Sequence, residues 1–235
     1  MIDDGPAFKF LLHRSVKRFD LDLAAWPWPP DRGGNDWGSY WQVRFEDTIF
    51  RVGLGVRKLI EAAKLSIEVQ ARPIDVMFAP LRDNLVPNSQ NSHRVNEYYE
   101  TEAMRPEKIP VLALCHAVVH SHILVPRFSV SGSTGLRLQD FFLASDRGRK
   151  RGVYLVSWET IVRELVTPVV MDNVISIRIW STLDGEELRI PASTDRPAEE
   201  HIEFYKDIST GNANAVEKFL IKWRQSHGLS PEVTL

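Results

Sequence analysis

Apolar residues at Trp37, Trp41, Phe45, Ile49, Val52, Val56, Leu59, Ile60, Ala63 and Ile67 advance in steps of three and four, the spacing that lines one face of an α-helix. Asp47 with Arg51, Arg57 with Glu61 and Lys64 with Glu68 stand four apart on its other faces, where opposite charges meet on a solvated surface. Gly53 and Gly55 interrupt this helix. Each costs about 1 kcal/mol relative to Ala, so a neighbour packed closely against the bare backbone is expected there. A shorter helical pattern runs from Phe8 to Arg18. Val111 to Val119, preceded by Pro106 and Pro110 in positions that suit a first helical turn, is apolar on nearly every side. That pattern predicts a buried central helix packed on the long one.

Elsewhere the pattern shortens. Ile74 to Phe78 reads as a strand and Arg82 to Asn96 as a loop. Phe128 to Val130, Gln139 to Ala144 and Val153 to Val156 read as strands between Gly-rich and basic turns. Ser157 is placed to cap a helix that Pro168 ends. Val174 to Trp180, a turn at Leu183 to Glu186, and Leu188 to Ile190 form the strongest hairpin signal. Two helices, Ala198 to Ile208 and Asn214 to Arg224, close the chain.

The expected fold is α+β: long and central buried helices on a small, mainly antiparallel sheet from residues 128 to 190, with C-terminal helices. One domain of 235 residues is expected, helix-rich over 1–125, strand-rich over 126–195 and helical over 196–235.

Composition leaves this picture intact, since 43% hydrophobic and 26% charged residues are ordinary globular values. A single cysteine, Cys115, excludes an internal disulfide and fits a reducing compartment. The opening Met1-Ile2-Asp3-Asp4-Gly5-Pro6 lacks the basic and apolar regions of a secretory signal, and no apolar run is long enough to span a bilayer. The expected location is the cytoplasm, with no membrane partner. Net charge is only −2, yet residues 126 to 155 hold six bases against two acids, a local surplus that the global charge hides.

Three features could carry chemistry. His116 and His120 stand one helical turn apart, the spacing at which two imidazoles can share a metal ion. Ala117 replaces the acid of the His-Glu-x-x-His metalloprotease pattern, and His122 joins the pair only if the helix ends before it. The ordinary expectation for such a pair is two core histidines. Cys115, beside them, has nucleophile neighbours but reads first as a small buried hydrophobe. Second, Arg147, Arg149, Lys150 and Arg151 crowd a glycine-flanked turn that could meet phosphates of a nucleic acid. Third, Trp26-Pro27-Trp28-Pro29-Pro30 forms an extended strap, either a docking anchor or a lid over the core. Gly-rich phosphate loops, serine elbows and paired Cys-x-x-Cys motifs do not occur, so no cofactor is expected.

The run Cys115-x-x-x-x-His120-Ser121, followed by Phe141-Phe142-x-x-Ser145-Asp146-Arg147, resembles a pattern of uncharacterised bacterial proteins, which have Asn in place of His116. Helices ending in a histidine also resemble the HEPN ribonucleases, whose motif places four to six residues between Arg and His. Counting back from His120, those positions hold Cys115, Leu114 and Ala113, and Arg105 is four turns away. The expected function is a non-catalytic binding or interaction protein, with a protein or nucleic-acid partner. The alternative is a metal-dependent hydrolase or nuclease centred on His116 and His120.

Overall fold

The first helix, α1 (Gly5–Ala24), exceeds its predicted span at both ends and buries Leu12, Val16, Phe19 and Leu23 along one face. The second, α2 (Trp37–Glu61), carries the long periodic stretch. Arg44 pairs with Asp22 near one end, while Gly55 faces Leu12 and Gly5 faces Lys64 near the other, so the two helices run antiparallel. These elements come from a computed structural model that describes residues 5–26, 37–82, 85–131, 135–180 and 187–193. The chain divides into two compact units, Met1–Ala192 and Ser193–Leu235. The two predicted C-terminal helices and residues 27–30 of the Trp-Pro strap lie outside the described residues.

The long helix stops at Glu61 rather than continuing to Ile67. Ala63 takes φ 53°, its N–H bonds the Ile60 carbonyl at 2.9 Å, and the Lys64 N–H bonds the Leu59 carbonyl at 2.8 Å. That pair of bonds is a Schellman C-cap, here built on Ala instead of Gly. Ile67 opens a separate single turn, α3 (Ile67–Gln70).

Five strands follow: β1 (Pro73–Pro80), β2 (Arg105–Pro110), β3 (Ser121–Ser131), β4 (Gly135–Ser145) and β5 (Gly152–Ser157). They lie in the order β2-β1-β5-β4-β3, with every neighbouring pair antiparallel. Buried Ile74, Val76 and Phe78 alternate along β1 with exposed residues, as a strand with one covered face requires. Phe141 to Ala144 of β4 are all buried, because both faces are covered there. Phe141 and Leu143 meet the helices, whereas Phe142 and Ala144 pack with Ala79, Val95, Tyr99 and Ile123 around the short helix α4 (Val95–Tyr98).

This sheet corrects the expectation of one drawn from residues 128 to 190. Two strands come from the helix-rich half, and β3 begins at Ser121 rather than Phe128. Pro106 sits in β2, not in a helix, on an edge strand where a missing N–H is tolerated. The predicted hairpin strands, β6 (Val174–Trp180) and β7 (Glu187–Ser193), pair with each other as a separate two-stranded sheet; residues 181–186 between them lie outside the described residues.

The nine-residue helix α5 (Val111–Val119) lies at the centre as expected, burying Val111, Leu114, Cys115 and Val118. A Cβ on Gly53 would stand 2.8 Å from Val118 Cγ1, and one on Gly55 would stand 2.6 Å from Leu12 Cδ2. Both α2 glycines therefore permit close helix approach, as their positions predict. Its burial is one-sided, however. Leu112 is 43% exposed, so the expectation of a helix buried all round fails on that side.

Trp158 starts a helix that Pro168 was expected to end, yet α6 (Trp158–Thr160), a wide π-helical stretch (Ile161–Val166) and α7 (Thr167–Met171) follow without a break. Proline lacks an N–H and its ring crowds the carbonyl four residues back; a wide turn just before it relieves both demands. Ser157 occupies the cap position but its hydroxyl makes no capping bond. Beyond α7, Asp172 closes a buried clip: Lys9 Nζ donates to its carbonyl and lies 4.0 Å from its Oδ2, which accepts the Ser66 N–H at 2.7 Å. Among the described residues no helix is long and apolar enough to cross a membrane.

Candidate functional site

Because α5 buries Val111, Leu114, Cys115 and Val118, its opposite ridge is left to Leu112, His116 and His120, each four residues from the next. Both histidines are exposed. The expectation of a core pair is thereby corrected: the helix is turned so that the imidazoles face outward. Their ring centroids are 4.5 Å apart at an interplanar angle of 43°. His120 ends the helix, its N–H bonding the His116 carbonyl, and the chain passes directly into β3.

Other elements add positive charge. Partial burial lowers the pKa of His116 below the usual imidazole range, and His120, Arg57 and Arg147 lower it further. Arg57 comes from α2, where it pairs with Glu61 at 2.8 Å. Arg147 comes from the turn after β4, which is tied to the helix end by the Asp146 N–H bonding the His120 carbonyl at 3.2 Å. Three separate stretches of chain thus bring two arginines toward the imidazole pair. His122, on β3, turns instead toward Asp146, its Nδ1 3.9 Å from Oδ1, and its buried Nε2 has no partner.

Such an arrangement repels a divalent cation and attracts an anion. Among the described residues, no three His, Cys, Asp or Glu side chains group as metal ligands. Cys115 is fully buried, and burial pushes its thiol pKa up to about 12. A nucleophilic cysteine needs a stabilised thiolate, so the environment of Cys115 is the reverse of a reactive one.

The four turn bases do not form one patch. Arg147 joins the histidines. Arg149 is held within the fold: its guanidinium bonds Asp146 at 3.0 Å and the Pro87 carbonyl, and its own carbonyl accepts the Tyr99 hydroxyl at 2.9 Å. Arg151 is exposed, its charge opposing the rise that burial gives the Tyr154 pKa, and Lys150 is exposed as well. Gly152 ends the turn where a Cβ would collide with the Phe78 ring and the Ala79 carbonyl at 2.3 and 2.4 Å. Any side chain there would push β5 off β1.

Trp26, the described start of the Trp-Pro strap, stacks on Tyr40 at 5.7 Å and meets Trp41 edge-on at 5.3 Å. It packs on the core, which fits the lid reading for this residue. Sequence reasoning missed a second polar place, a cleft of about 810 Å³ lined by Asp20, Ser129, Arg137, Gln139 and Glu159 beside Trp158. The Trp158 indole N–H donates to Asp20 Oδ1 at 2.7 Å, while burial raises the Asp20 pKa against that bond and the Arg137 charge. No local pattern joins residues so far apart in sequence. No family model, curated protein or solved structure matches the chain.

Proposed function

We propose that this chain is a non-catalytic binding protein that takes the phosphate backbone of a nucleic acid at the outward ridge of α5. The observation supporting this reading is the clustering of His116 and His120 with Arg147 and Arg57 at one exposed place. The nearby arginines oppose protonation of His116, and a phosphate relieves that opposition while accepting imidazole N–H and guanidinium donors. Arg147 has no ion-pair partner among the described residues and can turn to a ligand without losing one. The competing reading, a metal-dependent hydrolase or nuclease on the same histidines, places a divalent ion among cations and so carries an electrostatic cost.

Labelled single- and double-stranded oligonucleotides titrated at pH 6 test the reading. Affinity is expected to fall with salt, with a slope below the roughly four that the turn bases together would give, because Arg149 is committed to the fold. Replacing His116, His120 and Arg147 together with Ala should abolish this binding, whereas Lys150→Ala should leave most of it. Absence of binding by the intact protein at about 50 mM salt rejects the proposal.

A further inference from the structure

The core-facing side of α2 holds Trp41, Phe45, Ile49, Val52, Val56 and Leu59, all nearly or fully buried. At about 100° per residue these occupy an arc of about 80°. On the diametrically opposite arc, also about 80° wide, stand Tyr40, Val43, Phe50 and Leu54. Their exposures are 49, 63, 37 and 48%. A surface helix of a globular fold ordinarily puts polar residues there. α2 is therefore a helix with two apolar faces, of which the described residues cover one.

We propose that the outer face of α2 is a self-association surface, and that its occupant is the same stripe of a second copy of this chain, crossing antiparallel about a two-fold axis midway between Asp47 and Arg51. About that axis Val43 of one copy falls near Leu54 of the other, and Phe50 falls beside its own mate. The same patch thus meets itself, as an isologous interface requires.

Charge supports the same occupant. Asp47 sits on the stripe's midline, and Arg51 Nε donates to both of its carboxylate oxygens at 2.9 and 3.0 Å. Two-fold crossing sets two such ion pairs head to tail, so that each carboxylate faces a second guanidinium. The flanks alternate in sign through Glu46, Lys58 and Glu61, which suits neither a polyanion nor an anionic membrane. Tyr40 is also held in place by its stack on Trp26, which reduces the ordering cost on association.

Sedimentation of the full chain from about 1 to 200 µM is the experiment, because an interface of one helix per copy lies at the small end of the size range. A monomer–dimer equilibrium is expected, weakened at least tenfold by Val43→Lys with Leu54→Lys, with the unfolding midpoint of dilute protein unchanged. The decisive arm uses single charge reversals. Asp47→Arg and Arg51→Asp should each self-associate at least tenfold more weakly, and a mixture of the two should regain association. A monomer at every concentration overturns the proposal, as does a dimer indifferent to these substitutions or a mixture that stays monomeric.

Discussion

The molecule has two places where nitrogen cations gather, and they obey opposite rules. At the Lys9–Asp172 clip the ammonium is buried and everything around it is matched: the Asp172 carbonyl accepts its proton, and the Asp172 carboxylate satisfies the Ser66 N–H as well. At the His116–His120 ridge the imidazoles are exposed, and of the two arginines beside them Arg57 pairs with Glu61 while Arg147 has no ion-pair partner among the described residues. A buried charge left unpaired is costly, so the first arrangement is a condition of folding. The second gives the fold no benefit, which is why it is the better place to look for a ligand. The same division runs through α5 itself, with Leu114 and Cys115 facing in and Leu112 and His116 facing out.

The sharpest way to break this comparison is to remove the matched carboxylate. Asp172→Ala should destabilise by about 3–5 kcal/mol in urea unfolding, since it leaves the Ser66 N–H without its acceptor and the buried Lys9 ammonium, still bonded to the backbone carbonyl, without a counter-charge. His120→Ala, by contrast, should stay within about 0.5 kcal/mol of the parent. Equal effects at the two positions would erase the distinction.

Within α5, Leu114→Ala should cost about 2–5 kcal/mol by leaving a cavity in the core. Leu112→Ala should cost less than about 1 kcal/mol, because its side chain is 43% exposed. Comparable losses would mean that the helix is covered on both sides.

The smallest effect is on pH dependence. With the His116 pKa lowered in the fold, the unfolded chain binds more protons between that lowered value and the ordinary imidazole pKa of about 6.5. Stability should therefore decline slightly as pH falls through that window and be flat above it, the effect being modest because the ring is exposed and screened. The urea midpoint of the parent should drop more than that of His116→Ala between about pH 7.5 and 5.5, and a bound polyanion should reverse the difference. Identical pH profiles would show that His116 feels no surplus of positive charge.

Local periodicity reached the elements that have a local cause. The spacing of Trp41 to Leu59 specifies α2, and two glycines in so regular a helix announce the close approach of Val118 and Leu12. What stayed hidden depends on pairing across long separations. Nothing in Arg105-Pro106-Glu107-Lys108 marks a strand until β1 is known to lie beside it. The histidines posed a different difficulty, since two imidazoles four apart look the same whether their ridge faces the core or water. That choice was made by Leu114, Cys115 and Val118, which offer a better apolar face on the other side of the helix. The Ala63 cap and the passage through Pro168 escaped for a similar reason, being local exceptions permitted by the surrounding chain.

The two borders of the five-stranded sheet are β2 and β3, and both contain proline: Pro106 and Pro110 in one, Pro126 in the other. A free strand border is a template on which further chains can grow into fibrils, and each proline removes a donor from that template. Arg105 and Lys108 add charge along the first border. The sheet is thus finite by construction, and crowded copies of this protein are steered away from the open-ended stacking that ends in aggregates.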